Sequence, residues 1–179
     1  MIHRIEMEST FCIETERLLI TPFVLSDAPF ILSLLNTPAW LEFIGDRKVY
    51  DLSQAEAYLE NGPLNLYKAN GFGPFKVSLK LTGMVVGMSG LFKRDSLKDV
   101  DCGYAFLPEF WGHGYAYEAT VAVLSFAKSL SLPRIVAITN PVNVRSIHLL
   151  EKLGFIFQQQ TILGAADCNP VNLYSLDLL

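Results

Sequence analysis

Apolar and polar positions repeat along this chain with two periods, and the switches between them mark its elements. Arg17-Leu18-Leu19-Ile20-Thr21-Pro22-Phe23 reads as a first strand. Ser26 offers a helix cap, and Phe30, Ile31, Leu34 and Leu35 form a helical stripe until Asn36-Thr37-Pro38 stops it. Trp40 to Asp51 reads as a loop. Ser53-x-x-Glu56 has the form of a capping box for the next helix, which Asn61-Gly62-Pro63 should divide before it ends at Asn70-Gly71. Phe75, Val77 and Leu79 alternate with Lys76, Ser78 and Lys80, the mark of a strand with one wet face. Thr82-Gly83 turns the chain into a strand from Met84 to Phe92, and a polar connection leads to a third strand from Val100 to Leu107.

The helical period returns with Ala119, Ala122, Val123, Phe126, Ala127 and Leu130 on one face and Thr120, Ser125, Lys128 and Ser129 off it. Leu132-Pro133 ends that run. Arg134 to Thr139 is apolar on both faces, as a central parallel strand covered by helices would be. Asn143 then caps a short helix that Gly154-Phe155 closes with a left-handed turn. Phe155 to Leu163 and Leu173 to Leu178 are two closing strands around a loop from Gly164 to Val171. The order predicts one α/β domain with a mixed sheet and about four helices.

Composition narrows the setting. The 179 residues are 51% hydrophobic and 18% charged, which suits one domain with a sizeable core. No apolar run approaches the roughly 20 residues that span a bilayer, and Met1 to Ser9 lack the apolar centre of a signal peptide, so a cytoplasmic location without membrane association is expected. Cys12, Cys102 and Cys168 are three in number with no metal-ligand spacing, so neither a disulfide framework nor a metal site is expected. A net charge of -4 argues against a nucleic-acid partner.

The candidate chemistry lies in Leu107-Pro108-Glu109-Phe110-Trp111-Gly112-His113-Gly114-Tyr115-Ala116-Tyr117-Glu118-Ala119, a strand end, a glycine turn and a helix start. A helix N-terminus leaves amides unpartnered at the positive end of the dipole, and glycines let a phosphate approach them. A plain tight turn is the alternative reading. Tyr115-Ala116 cannot serve as the Lys-Ser/Thr pair of a Walker loop, and Tyr117 occupies the third-glycine position of the dinucleotide fingerprint.

This stretch, with Asp101-Cys102-Gly103-Tyr104-Ala105-Phe106 before it and Asn143-Val144-Arg145-Ser146 and Glu151-Lys152-Leu153-Gly154-Phe155 after it, resembles the GNAT superfamily of acyl-CoA-dependent N-acetyltransferases. Within it the pattern, including Thr15-Glu16-Arg17-Leu18, is similar to the RimJ/RimL branch of ribosomal-protein N-terminal acetyltransferases. The resemblance runs from about Glu14, leaving residues 1–13 as an extension and 14–179 as the acetyltransferase domain. It implies a twisted, mostly antiparallel mixed sheet of about seven strands whose splayed parallel pair binds acyl-CoA.

The activity implied is acetyl transfer from acetyl-CoA to a primary amine, a protein N-terminus or a small molecule, through a tetrahedral intermediate. No metal is implied, and the assembly would be a monomer or homodimer. The backbone of Phe106 and Leu107 would pair with the pantetheine arm. Amides of Gly112, His113, Gly114, Tyr115, Ala116 and Tyr117 would hold the diphosphate, and Asn143 would bond the pantetheine region or cap its helix. Trp111 departs from the superfamily's usual Arg or Gln, so phosphate affinity should rest on backbone amides more than on a side-chain cation. Leu150 stands where the family often carries an acid tyrosine; Ser146 would relay a proton to sulfur instead. Asp101 is the candidate base, Tyr104 a candidate relay or pocket residue, and Glu118 is expected to face away from phosphate. The other reading is a non-catalytic acyl-CoA-binding domain of the same fold.

Overall fold

The computed structural model describes residues 11–163 and 169–179. In chain order, β1 (Ile13–Glu14) and β2 (Leu18–Pro22) lead into α1 (Ala28–Leu35), α2 (Pro38–Phe43), α3 (Leu52–Leu59) and α4 (Asn65–Asn70). Next come β3 (Pro74–Leu79), β4 (Val85–Phe92), β5 (Val100–Phe106), α5 (Tyr115–Ser129), β6 (Arg134–Thr139), α6 (Val144–Lys152), β7 (Ile156–Thr161) and β8 (Val171–Asp177). All strands join one 8-stranded sheet in the order β1-β2-β3-β4-β5-β6-β8-β7. Among the described residues only β5 and β6 pair in parallel. The strand beyond the expected number is the short β1, which straddles the boundary placed after residue 13. Phe11, just before it, stacks on Phe75 and meets Phe126 edge-on, so the start of the described chain belongs to the packing.

Several local expectations are corrected. Trp40 lies in helix, not loop: Pro38 occupies a first-turn position where its missing N–H has no cost, and the Thr37 hydroxyl accepts from the Trp40 amide. Asp27 rather than Ser26 serves the entry to α1, its Oδ2 accepting from the Val24 amide at 2.9 Å. Asp51 rather than Ser53 caps α3, accepting from the Gln54 amide at 2.8 Å. At Pro63 the expected division holds: α3 ends at Leu59 and α4 begins at Asn65, with one π-helical turn over Glu60–Leu64 accommodating the proline between them. The supposedly wet face of β3 is covered: Ser78 is buried and Lys76 reaches Asp27 at 2.8 Å.

Two apolar clusters flank the sheet. One joins Val123, Ala127 and Leu150 of α5 and α6 to Phe75, Val77, Cys102 and Ile135. The other joins Ile31, Leu34, Trp40, Ala55 and Leu59 of α1 to α3 to Met88. Thr120, off the apolar face of α5 by periodicity, is fully buried; its hydroxyl donates to the Ala116 carbonyl at 2.7 Å and so needs no water. Gly154 has φ 89°, and its amide and that of Phe155 donate to Glu151 and Leu150, closing α6 as expected.

The feature that positions the site is a separation of strands. β5 meets β6 only at Val100↔Ile135 and Asp101↔Val136, while β6 stays paired with β8 as far as Thr139. Beyond Asp101 the parallel strands splay, and α5 and α6 start beside the widening end.

Candidate functional site

β5 leaves the sheet through a 3-10 turn at Pro108–Phe110 and enters the glycine turn. Gly112 and Gly114 adopt φ of 79° and 81°, a region that disfavours any Cβ. A Cβ on Gly112 would meet nothing within 4 Å, so backbone conformation and not crowding calls for glycine there. The first hydrogen bond of α5 runs from the Glu118 amide to the Gly114 carbonyl at 3.0 Å. Ahead of it, the amides from Gly112 to Tyr117 have no partner among the described residues. A row of free N–H groups at the positive end of a helix is an anion-binding concavity.

Arg17 braces that row. Its Nε donates to Glu118 at 2.7 Å, its Nη1 donates to the His113 carbonyl at 2.9 Å, and its guanidinium lies over the Tyr115 ring. Glu118 also accepts from the Thr15 hydroxyl and the Arg17 amide, so its carboxylate faces the β1–β2 connection. Burial works to raise the Glu118 pKa, but these donors outweigh it and hold the carboxyl below its ordinary value. The sequence offered Arg17 as a strand start within Thr15-Glu16-Arg17-Leu18, with no sign of its partner. The His113 ring stacks on Tyr115 at an exposed position.

Tyr104 and Ser146 are brought together. The Tyr104 hydroxyl lies 3.0 Å from Ser146 Oγ and 3.2 Å from the Ser146 carbonyl, to which it donates. Burial pushes the phenol well above its ordinary pKa, against the Ser146 hydrogen bond, so Tyr104 stays protonated. Asn143 accepts from the Ser146 amide at 3.1 Å, which commits its oxygen to capping α6; its Nδ2 bonds no described atom. Leu150 is buried in the core beneath.

Asp101 is not brought to that pair. Alternation along β5 sends Tyr104 toward α5 and α6 and Asp101, with Ala105 and Leu107, toward α1 to α3. Asp101 is 1% exposed, and Arg94 Nε sits 3.1 Å from both its oxygens. Burial raises its pKa and Arg94 opposes; burial prevails. The expectation for Leu107 is also corrected: its amide donates to Val86 and its carbonyl accepts from Phe110, so the turn of the ladder directs it to β4. The Phe106 carbonyl accepts from Trp111 Nε1 at 2.8 Å, which leaves the Phe106 amide as the donor on the β6 side.

In the segment from Trp40 to Asp51, Trp40 is in the core and Asp46 accepts from the Tyr50 hydroxyl. Residues 164–168, which include Cys168, lie outside the described residues. Among the described residues no helix is long and apolar enough to cross a membrane, and no three His, Cys, Asp or Glu side chains cluster as a metal site.

The sequence matches the acetyltransferase (GNAT) domain family over residues 17–156. An uncharacterized N-acetyltransferase of Bacillus licheniformis is 30% identical over 144 residues, 79% of this chain and 80% of its own length. Among solved structures, an acetyltransferase from Agrobacterium tumefaciens str. C58 superposes with TM-score 0.78 at 25% identity, over 94% of this chain and 95% of that one. An acetyl transferase from Salmonella typhimurium, described as modifying the N-terminal serine of 50S ribosomal subunit protein L7/L12, gives 0.79 at 14% identity over 93% and 99% and so matches in fold alone. This protein belongs to the GNAT acetyltransferase family.

Proposed function

We propose that residues 14–179 transfer an acetyl group from acetyl-CoA to a primary amine, either a protein N-terminal α-amine or a small molecule. The observation that carries this reading is the row of unpartnered amides from Gly112 to Tyr117 beside a splayed strand pair. The residues present fit the cofactor. The amide row suits a diphosphate, and the open edge of β5 past Asp101, with the Phe106 amide and Asn143 Nδ2, suits the amides of a pantetheine arm.

When bound, acetyl-CoA supplies a thioester carbonyl that a neutral amine can attack. A β5 amide stabilises charge on the carbonyl oxygen as the C–N bond forms. Tyr104 can donate to Ser146 Oγ instead of the Ser146 carbonyl; the serine proton is then free to bond the sulfur as the C–S bond breaks. Solvent completes protonation of sulfur through this hydroxyl pair. Asp101, raised by burial in the direction a base near neutrality needs, receives the amine proton from the opposite face of the sheet. Cofactor and amine thereby meet in the splay from the α5–α6 and α1–α3 sides.

A second reading, an acyl-CoA-binding regulatory domain, draws on Leu150, which puts a core residue where the family often has an acid. Mixing the protein and acetyl-CoA with a broad amine panel separates the two. Free thiol released above the hydrolysis background with some amine class supports transfer. Cofactor binding without release across the panel contradicts it and favours the regulatory domain.

A further inference from the structure

Arg94 leaves most of its fork unused. Its Nε alone meets Asp101, 3.1 Å from each carboxylate oxygen, while Nη1 and Nη2 donate to no described residue. The guanidinium carbon lies 5.4 Å from the centroid of Phe92, and Phe92 is the cross-strand partner of Asp101, so the pair sits on the sheet face turned toward α1 to α3. The Arg94 side chain is 35% exposed against 1% for Asp101, so the guanidinium presents the buried carboxylate to solvent.

Two more donors converge there. Burial raises the Tyr58 phenol above its ordinary pKa, and the guanidiniums of Arg47 and Arg94, both near enough to act on it, pull the other way. Tyr58 packs on the same apolar cluster as Phe92, Ala105 and Leu107. Among the described residues Arg47 forms no salt bridge and the Tyr58 hydroxyl has no partner, while Asp46 is held by the Lys48 amide and the Tyr50 hydroxyl. Two guanidiniums and a phenol thus surround one carboxylate. A second anion is what this set of donors lacks.

We infer that the acceptor is a free α-amino acid: Asp101 takes a proton from its ammonium group while Nη1 and Nη2 of Arg94, with Arg47 and Tyr58, hold the carboxylate on the same carbon. This names the acceptor class of the transfer proposed above and rests on that reading. An anion on Nη1 or Nη2 lies one guanidinium away from the Asp101 oxygens, which matches a carboxylate and an amine on one α-carbon. A protein N-terminus offers a neutral amide at that place and leaves the guanidinium unanswered. Of the two protons the nitrogen gives up as the C–N bond forms and the C–S bond breaks, one passes through Asp101 to solvent and the other balances the one delivered to sulfur. The products are an N-acetyl amino acid and coenzyme A.

The test measures thiol release from acetyl-CoA with the twenty amino acids, each as the free acid, as its amide and as the first residue of a dipeptide. Removing the carboxylate lowers the pKa of the amine, so amides and peptides hold more neutral amine and chemistry alone favours them. The wild type is nevertheless expected to show kcat/KM at least about ten-fold higher for some free acid than for its amide or dipeptide. Arg94→Lys, which keeps a charge opposite Asp101, and Arg47→Gln, at an exposed position, should both shrink that ratio through KM for the acid. A purely structural role for Arg94 would slow acid and amide alike; a ratio unchanged in Arg94→Lys therefore overturns the inference. Amides or dipeptides used as well as the free acids or better overturn it too and leave the transferase standing. No release with any amine, the free acids included, removes the transferase reading and the inference with it.

Discussion

Ser146 and Tyr104 stand 42 positions apart in sequence and 3.0 Å apart in space. Hydroxyls that share one hydrogen bond act as a unit, so Ser146→Ala and Tyr104→Phe should each lower turnover by about 10- to 100-fold with acetyl-CoA affinity nearly unchanged. The double variant should be little worse than either single one; multiplicative losses in a steady-state cycle would show independent roles. Asp101→Asn separates a base from a structural carboxylate. As a base, its loss lowers turnover per folded molecule and removes the acidic limb of the pH profile; as a mere partner of Arg94, its loss lowers only the melting temperature. Each of these residues was legible as a candidate from its motif. That Tyr104 touches Ser146 while Asp101 faces the other way follows from strand parity, which the sequence contained, and from the splay, which only the family resemblance implied.

At the scale of elements, the link between β2 and α5 is the Arg17–Glu118 pair. The folded-state pKa of Glu118 lies below its ordinary 4.5, so its contribution to stability is present above that value and is lost as pH falls through the folded pKa. Denaturation midpoints measured downward from pH 6 should therefore fall more steeply for wild type than for Glu118→Gln below about pH 4.5. Parallel curves would show that the pair contributes nothing to folding. Gly114 tests the turn itself: with φ 81°, valine there forces the backbone to another conformation and swings the amides apart. Gly114→Val should fold yet lose most of its affinity for coenzyme A; normal calorimetric affinity would contradict the assignment. Element type was readable wherever period and cap agreed, as in β6 and α6. It failed where one residue had two readings, Pro38 as stop or first helical residue, because the choice depends on core packing of Trp40.

For the whole molecule, the mixed sheet, the strand meander and the closing pair could be anticipated because alternation and turn residues are local signals. The splay of the parallel pair was implied by the family resemblance, but its onset at Asp101 could not be read locally, since it reflects how β6 divides its length between β5 and β8. The most direct test of the central claim is a crystal structure of the protein with coenzyme A. The account predicts diphosphate oxygens within hydrogen-bonding distance, about 3 Å, of the amides between Gly112 and Tyr117, with the pantetheine arm in the splay beside Phe106. Coenzyme A bound elsewhere, with that turn empty, would contradict it.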